Sequence, residues 1–410
     1  MPVRRAFATR GSWSRVCAII TTVDSFTAVE RELRAAAPHL LVDVVTEALR
    51  ERCGAVSVVL RMADYAVTSL QVVEAVPLTT PPVPVHDSPQ GRAFGAQEPF
   101  LERAGGGGLV VVHLPVTIRG DRMGTLSVSI PRDRYDEAVL PGLVHICEAL
   151  GHEILVAERD TDLYLLARRA TRLTLAAEVQ WQLLPGRSLD RPEFSLGAHL
   201  EPAYAIFGDN YDWTVSADTL TLTVTNGWGT GIDAALLTSL ATNALRNARR
   251  AGVGLADQAY LADQAVHAQY RGEAYVDVLL MRFDLATGDV EVVDAGSPRL
   301  WRMRGRTVEQ VCFEAQLPLG MFEDTHYTSE HFQVLPGDRL LFGSDGVYDT
   351  RSAGGEPYGE KALARSMSST RFLPPSQVPR AVLRELAAYR SDVPLADDAL
   401  VVCLDWAGRG

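Results

Sequence analysis

Lysine is almost missing. The 410 residues carry 39 Lys and Arg together, and Lys361 is the one lysine among them. Codon bias in a GC-rich genome accounts for the imbalance, yet it still restricts the chemistry. A P-loop, a kinase strand lysine or a Schiff base has no lysine to use, unless it is Lys361 in a late, helix-like stretch. Cysteine is sparse too. Cys17, Cys53, Cys147, Cys312 and Cys403 are far apart, odd in number and without a C-x-x-C pair. A disulfide framework or zinc knuckle is excluded on that spacing, and a reduced, cytoplasmic protein with buried thiols is expected. No uninterrupted apolar run approaches the roughly 18 residues of a membrane span. Excess positive charge is lacking: 51 acidic residues outweigh the basic ones, for a net charge of −12. Neither nucleic acid nor an anionic membrane is an expected partner. A G-x-S-x-G elbow is absent, and His152-Glu153 has no second histidine at zinc-protease spacing. The remaining histidines, with His326 and His331 as their one close pair, read as structural or surface residues.

What is present reads as globular. Apolar residues make up 47% and charged residues 22%, and the length gives two to three domains at about 150 residues each. Residues 1–24 hold Arg4, Arg5, Arg10 and Arg15 before an apolar run interrupted by Thr21 and Thr22. No small-residue cleavage site follows, so a loose N-terminus is expected in place of a secretion signal. Residues 25–135 mix a helical stretch at 28–52 with apolar strands at 55–60, 69–76, 109–116 and 123–130. Gly105 to Gly108 form a glycine run followed by a strand, hence a flexible loop and not a phosphate cradle. This pattern, closing on Leu114-Pro115-Val116 and Met123-Gly124-Thr125-Leu126, resembles a GAF-type sensory domain. The resemblance implies a small antiparallel sheet with a pocket for an unidentified small ligand.

Residues 136–185 read as a long helical linker with Pro141 near its start. Leu163, Leu166, Ala170, Leu173, Ala177, Gln180 and Leu184 fall at alternating spacings of three and four. Such a seam is either one face packed on its own domain or a parallel linker holding a homodimer. The homodimer is the expectation carried forward. Leu184-Pro185-Gly186 stops the helix. Residues 186–410 then show strands at 195–201, 209–215, 219–225, 275–283, 290–294, 300–304, 339–343 and 400–404. Helices are expected at 233–251, 255–270 and 375–389. Strands in excess with grouped helices argue for an α+β layered sandwich.

Four turns in this region place a carboxylate, or its amide, at a strand end. They are Gly208-Asp209-Asn210-Tyr211-Asp212, Thr225-Asn226-Gly227, Gly343-Ser344-Asp345-Gly346 and Asp397-Asp398-Ala399. A hairpin turned at 216–218 sets Asp209 opposite Thr225 or Asn226. If 339–343 and 400–404 are antiparallel neighbours, Asp345 and Asp398 emerge at the same end. Asp beside Gly is ordinary turn chemistry when it occurs alone. Oxygen donors clustered at sheet ends suit hard divalent cations.

Residues 176–405 resemble the PPM-type, PP2C-like serine/threonine phosphatases of the SpoIIE/RsbU kind. The resemblance rests on Ala177-Glu178-Val179-Gln180, Gly208-Asp209-Asn210-Tyr211-Asp212, Gly229-Thr230-Gly231-Ile232-Asp233-Ala234-Ala235-Leu236, Ala295-Gly296-Ser297-Pro298, Leu317-Pro318-Leu319-Gly320, Ser344-Asp345-Gly346-Val347 and Asp397-Asp398. It implies an α/β/β/α sandwich with two Mn²⁺ or Mg²⁺ sites at one edge. Asp209 and Asp345 would be ligands, Asp398 or Asp397 would complete the site, and the Gly227 carbonyl would add another. The implied catalytic set is Asp209, Asn226, Asp345 and Asp398, and the implied nucleophile is a water whose pKa the cations lower. The implied substrate is a phosphorylated anti-sigma-factor antagonist, with the GAF-like domain as regulator.

The sequence departs from that pattern at Asn226, where the family has an Asp that bridges both cations. An amide has one acceptor oxygen, and its other end is a donor that repels a cation. Thr230 and Ser297 stand where the family often has His. Asp212 and Asp233 are the nearby carboxylates that could compensate, against ordinary roles as a solvated turn and a helix first-turn acid. The alternative function is a catalytically weak or dead pseudophosphatase that binds a regulatory partner.

Overall fold

The computed structural model describes residues 27–76, 79–103, 108–201, 208–390 and 397–409. The expected loose N-terminus and most of the glycine run lie outside them. The chain divides into two units, one of residues 1–118 and 122–171, the other of 119–121 and 172–410.

In the first unit the apolar stretches form a six-stranded sheet of order β3-β2-β1-β6-β5-β4. Its strands are β1 (Ser57–Ala63), β2 (Ser69–Val72), β3 (Val83–Pro84), β4 (Phe100–Arg103), β5 (Leu109–Ile118) and β6 (Asp121–Pro131). The helical stretch is split at Pro38 into α1 (27–35) and α2 (Leu41–Cys53). A short helix, α3 (Pro89–Ala96), is capped by Ser88, whose hydroxyl accepts from the Gly91 N–H at 2.9 Å. It lacks the apolar period that marks a long helix, so the sequence pattern passed over it. The helix α4 (Leu140–Ala157) takes Pro141 in its first turn, where a missing N–H costs nothing. Glu137–Ala157 is long and apolar enough to cross a membrane by length and composition. Its stripe of Leu143, Ile146, Cys147, Leu150 and Ile154 is part of this unit's core, together with Leu60, Leu114 and Leu126.

The long linker helix is not formed. After α4 the chain makes α5 (Leu163–Ala167) and α6 (Leu175–Leu183), with non-helical backbone between. Arg168 to Thr174 contains two β-branched threonines, and Thr174 caps α6 by accepting from the Ala177 N–H at 3.2 Å. The seven seam residues therefore do not share one helical face. Leu163 packs on the core of the first unit, whereas Leu173 and Ala177 pack with Ala235 in the second.

The second unit is a sandwich of two sheets, ordered β15-β12-β11-β10-β9 and β14-β13-β16-β17-β8-β7. The first holds β9 (Asp209–Val215), β10 (Thr219–Gly227), β11 (Val276–Asp284), β12 (Asp289–Ala295) and β15 (Glu330–Gln333). The second holds β7 (Ser188–Asp190), β8 (Phe194–Glu201), β13 (Arg299–Arg304), β14 (Thr307–Val311), β16 (Arg339–Gly343) and β17 (Ala399–Trp406). Alternation along single strands explains the layers. On β11, Leu279, Met281 and Phe283 face the opposite sheet, and Val276, Val278 and Leu280 face helices. On β17, Leu400, Val402 and Leu404 point inward, while Val401 and Cys403 point to the other helical layer. The outer layers are α7 (Gly231–Arg250) with α8 (Leu255–Tyr270), and α10 (Tyr358–Ser369) with α11 (Val378–Arg390). An α/β/β/α sandwich results. The short exposed edge strands β14 and β15 carry too few apolar residues to stand out in the sequence.

The inter-sheet core should dominate the stability of this unit. Phe342 is fully buried between the sheets, so Phe342→Ala is expected to cost about 3–5 kcal/mol in urea denaturation. A loss below about 1 kcal/mol would contradict this account of the core.

Candidate functional site

The strand ends gather the acidic turns. Ser216 closes the β9–β10 hairpin, its N–H donating to the Thr219 carbonyl at 2.8 Å. The register that follows pairs Asn226 with Asp209, and on the far side β11 pairs Asn226 with Asp277. In the other sheet β16 and β17 are antiparallel neighbours with Gly343 opposite Val401, so Asp345, Asp397 and Asp398 emerge together. Ser344 fastens this end. Its hydroxyl accepts from the Leu400 N–H at 3.0 Å, and its own N–H donates to the Leu400 carbonyl at 3.2 Å. Asp345 then opens the short helix α9 (Asp345–Tyr348). Gly208 has φ +112, and a Cβ there would overlap the Gly227 carbonyl oxygen. Only glycine allows β9 to begin so close to the end of β10.

Asp209 is 1% exposed, and neither oxygen of its carboxylate completes a hydrogen bond. Its backbone is held on both sides: the N–H donates to Asp398 Oδ2 at 3.3 Å, and the carbonyl accepts from Gln180 Nε2 of α6 at 2.6 Å. Burial pushes the carboxyl well above the usual range, and the Asp398, Asp345 and Asp397 charges push the same way, partly offset by the nearby Ser344 hydroxyl. Asp397 is raised to about 6 by burial and by Asp345, although its Oδ1 accepts the Asp398 N–H at 2.8 Å. Asp345 is raised mainly by burial. Its Oδ1 accepts from the Gly346 N–H at 2.9 Å and from Asn226 Nδ2 at 2.8 Å. The same Nδ2 lies 3.4 Å from Ser297 Oγ.

The structure thus brings Asp209, Asn226, Gly227, Asp345, Asp397 and Asp398 to one end of the sandwich. It does not bring the two compensating candidates there. Asp212 is neither solvated nor in a turn: it is buried on β9, paired to Arg246 at 2.8 Å and Arg249 at 3.0 Å. Asp233 is exposed in the first turn of α7, and Thr230 is exposed just before it. The residue that sequence reasoning missed is Asp277. It stands next to Asn226 across the ladder, and burial with the Asp345 charge raises its carboxyl to about 7. Its one signal is a lone acid inside the apolar run from Val276 to Met281.

The donors at this end are right in kind for a hard cation: carboxylate and carbonyl oxygens, without sulfur or imidazole. The bare, buried Asp209 carboxylate lacks the partner that a cation would be. Among the described residues no three His, Cys, Asp or Glu side chains already close around one point.

Residues 216–407 match the family described as Stage II sporulation protein E (SpoIIE). The chain is similar to the phosphoserine phosphatase RsbU of Bacillus subtilis, with 21% identity over 259 residues, 62% of this chain and 76% of RsbU. It is also similar to the protein IcfG of Synechocystis, with 19% identity over 255 residues, which take in 55% of this chain and 40% of IcfG. Among solved structures it resembles the SiaA-PP2C domain of Pseudomonas aeruginosa, with 23% identity and a TM-score of 0.48, covering 56% of this chain and 94% of that one.

At this end of the second unit the buried acids repel one another. Asp209→Asn removes one buried acid and is expected to raise the melting temperature in chelator-treated buffer, by about 2–4 °C for each kcal/mol of relief. Thermal melts in EDTA read this out, and a variant that melts lower than wild type would contradict the repulsion.

Proposed function

We propose that this chain is a metal-dependent serine/threonine phosphoprotein phosphatase of bacterial signalling. The observation that carries the reading is the bare Asp209 carboxylate, buried among Asp345, Asp397 and Asp398 at the end of a SpoIIE domain. Asp209, Asp345 and Asp398 would hold a divalent cation, Mn²⁺ or Mg²⁺, with Asp397 and the Gly227 carbonyl as further donors. When bound, such cations lower the pKa of water and neutralise phosphoryl oxygens. The chain's own residues do the positioning. Gln180 fixes the Asp209 backbone from α6, and Ser344 ties Asp345 to the start of β17. Tyr348 donates to the Ser297 carbonyl at 2.6 Å and carries the exposed Arg299 guanidinium 3.9 Å above its ring. That arginine offers a cation beside the acidic end, suited to hold a phosphate dianion.

The similarity to a phosphoserine phosphatase supports a phosphoserine substrate, and the family resemblance implies that it lies on an anti-sigma-factor antagonist-like protein. The first unit, a sheet flanked by helices, is read as a GAF-like regulator with a small ligand. The free cysteines among the described residues suit a cytoplasmic setting. A second reading, a pseudophosphatase that binds its partner without turnover, draws on one observation. Asn226 Nδ2 donates to Asp345, so the amide occupies an oxygen that a cation would need.

The two readings separate on the purified chain with an aryl phosphate and a phosphoserine peptide, titrated with Mn²⁺. Cation-dependent turnover that falls to background in Asp345→Ala is the expected result. Tight phosphopeptide binding with no turnover at any Mn²⁺ concentration would favour the pseudophosphatase.

A further inference from the structure

Residues directly opposite in an antiparallel ladder project from the same face of the sheet. Asp209, Asn226 and Asp277 are such neighbours on three consecutive strands, β9, β10 and β11. They form a straight row at the sheet end, with the amide in the middle and a carboxylate on each side. Cross-strand Cα spacings of about 4.5–5.5 Å make the row about 10 Å long. Asp345 sits against its centre: it accepts from Asn226 at 2.8 Å, and its charge acts on both Asp209 and Asp277.

The two flanks are built differently. Asp209 is 1% exposed and bare of hydrogen bonds. Asp277 is half-buried, with the Ser297 N–H near enough to lower its pKa and Gly296 packed on it. Gly296 has φ +137, and a Cβ there would overlap the Asp277 carboxylate, so the loop after β12 is shaped around that acid. The two other nearby acids do not compensate: Asp212 is paired with two arginines, and Asp233 is exposed.

We propose that Asp277 supplies the carboxylate that position 226 lacks, as a ligand for the second divalent cation of this domain. The inference rests on the reading of the domain as a metal-dependent phosphatase. The ligand is moved one strand along the same row, so the site keeps its charge. Asn226 then spaces the two acids and keeps its hydrogen bond to Asp345. In this arrangement Asp209 and Asp398 would hold the first cation, and Asp277 and Asp345 the second.

The test is Mn²⁺ binding by calorimetry on the full chain, with the rise in melting temperature on adding Mn²⁺ as a second readout. Wild type is expected to bind two ions. Asp277→Asn keeps the size and the acceptor for Ser297, and should weaken the looser ion at least tenfold while the tighter one is unchanged. Asn226→Asp/Asp277→Asn puts the carboxylate back on β10 and should restore both ions to within about threefold of wild type. If Asp277→Asn binds two ions as wild type does, Asp277 is not a ligand, and the phosphatase reading stands. A wild type that binds no Mn²⁺ at all overturns both. An Asp277→Asn that loses both ions, with the double variant failing to regain either, shows a collapsed sheet end and overturns the assignment of Asp277 to one cation.

Discussion

Keeping like charges together out of water is the constraint on which the C-terminal unit depends. Asp209, Asp345, Asp397 and Asp398 repel one another, and each loses hydration where it sits. Nothing local favours that arrangement. It is held by the sandwich: the inter-sheet core fixes β9 and β10 on one side and β16 and β17 on the other. The fastenings at the end itself are short and specific. Ser344 stitches the two strands that carry Asp345 and Asp398, Gly208 lets β9 start against the β10 carbonyl, and Gln180 pins the Asp209 backbone. Backbone and small polar side chains do this work because they add no further charge to the cluster.

That division of labour explains what was legible in the sequence. Long alternating strands such as β10, β11 and β17 announce themselves, since each must bury one face against the other sheet and the other against helices. The β9–β10 hairpin was legible to within one residue of register because its turn is local. Acids beside glycine at strand ends pointed to the site for the same reason. Asp277 was not legible, because its closeness to Asn226 depends on β11 lying beside β10 after two helices and some fifty residues of chain. Spacing alone carries no such pairing.

The linker failed for the opposite reason. A seam of alternating three and four spacings is a necessary property of a long packed helix and not a sufficient one. Here one residue decides against it locally: Thr174 caps a new helix instead of continuing the old one. Gln180, the polar exception in the seam, has its own explanation. Its amide is spent on the carbonyl of Asp209, inside the second unit. A polar residue at a buried position has to be satisfied somewhere.

Asn226 brings the two levels together. Replacing a bridging acid by an amide looks fatal when the position is considered alone, because one charge and one acceptor are lost. At the end of a sheet, positions are not alone. A residue on an inner strand, as Asn226 is on β10, has two cross-strand neighbours on its own face, at nearly equal distance. A carboxylate removed from β10 can be supplied by β11 without moving the backbone, provided that the neighbouring loop makes room for it. The Gly296 turn makes that room, since any side chain there would collide with Asp277. The hydrogen bond from Asn226 to Asp345 then has a structural meaning beyond a lost ligand. It holds the facing acid of the other sheet over the middle of the row.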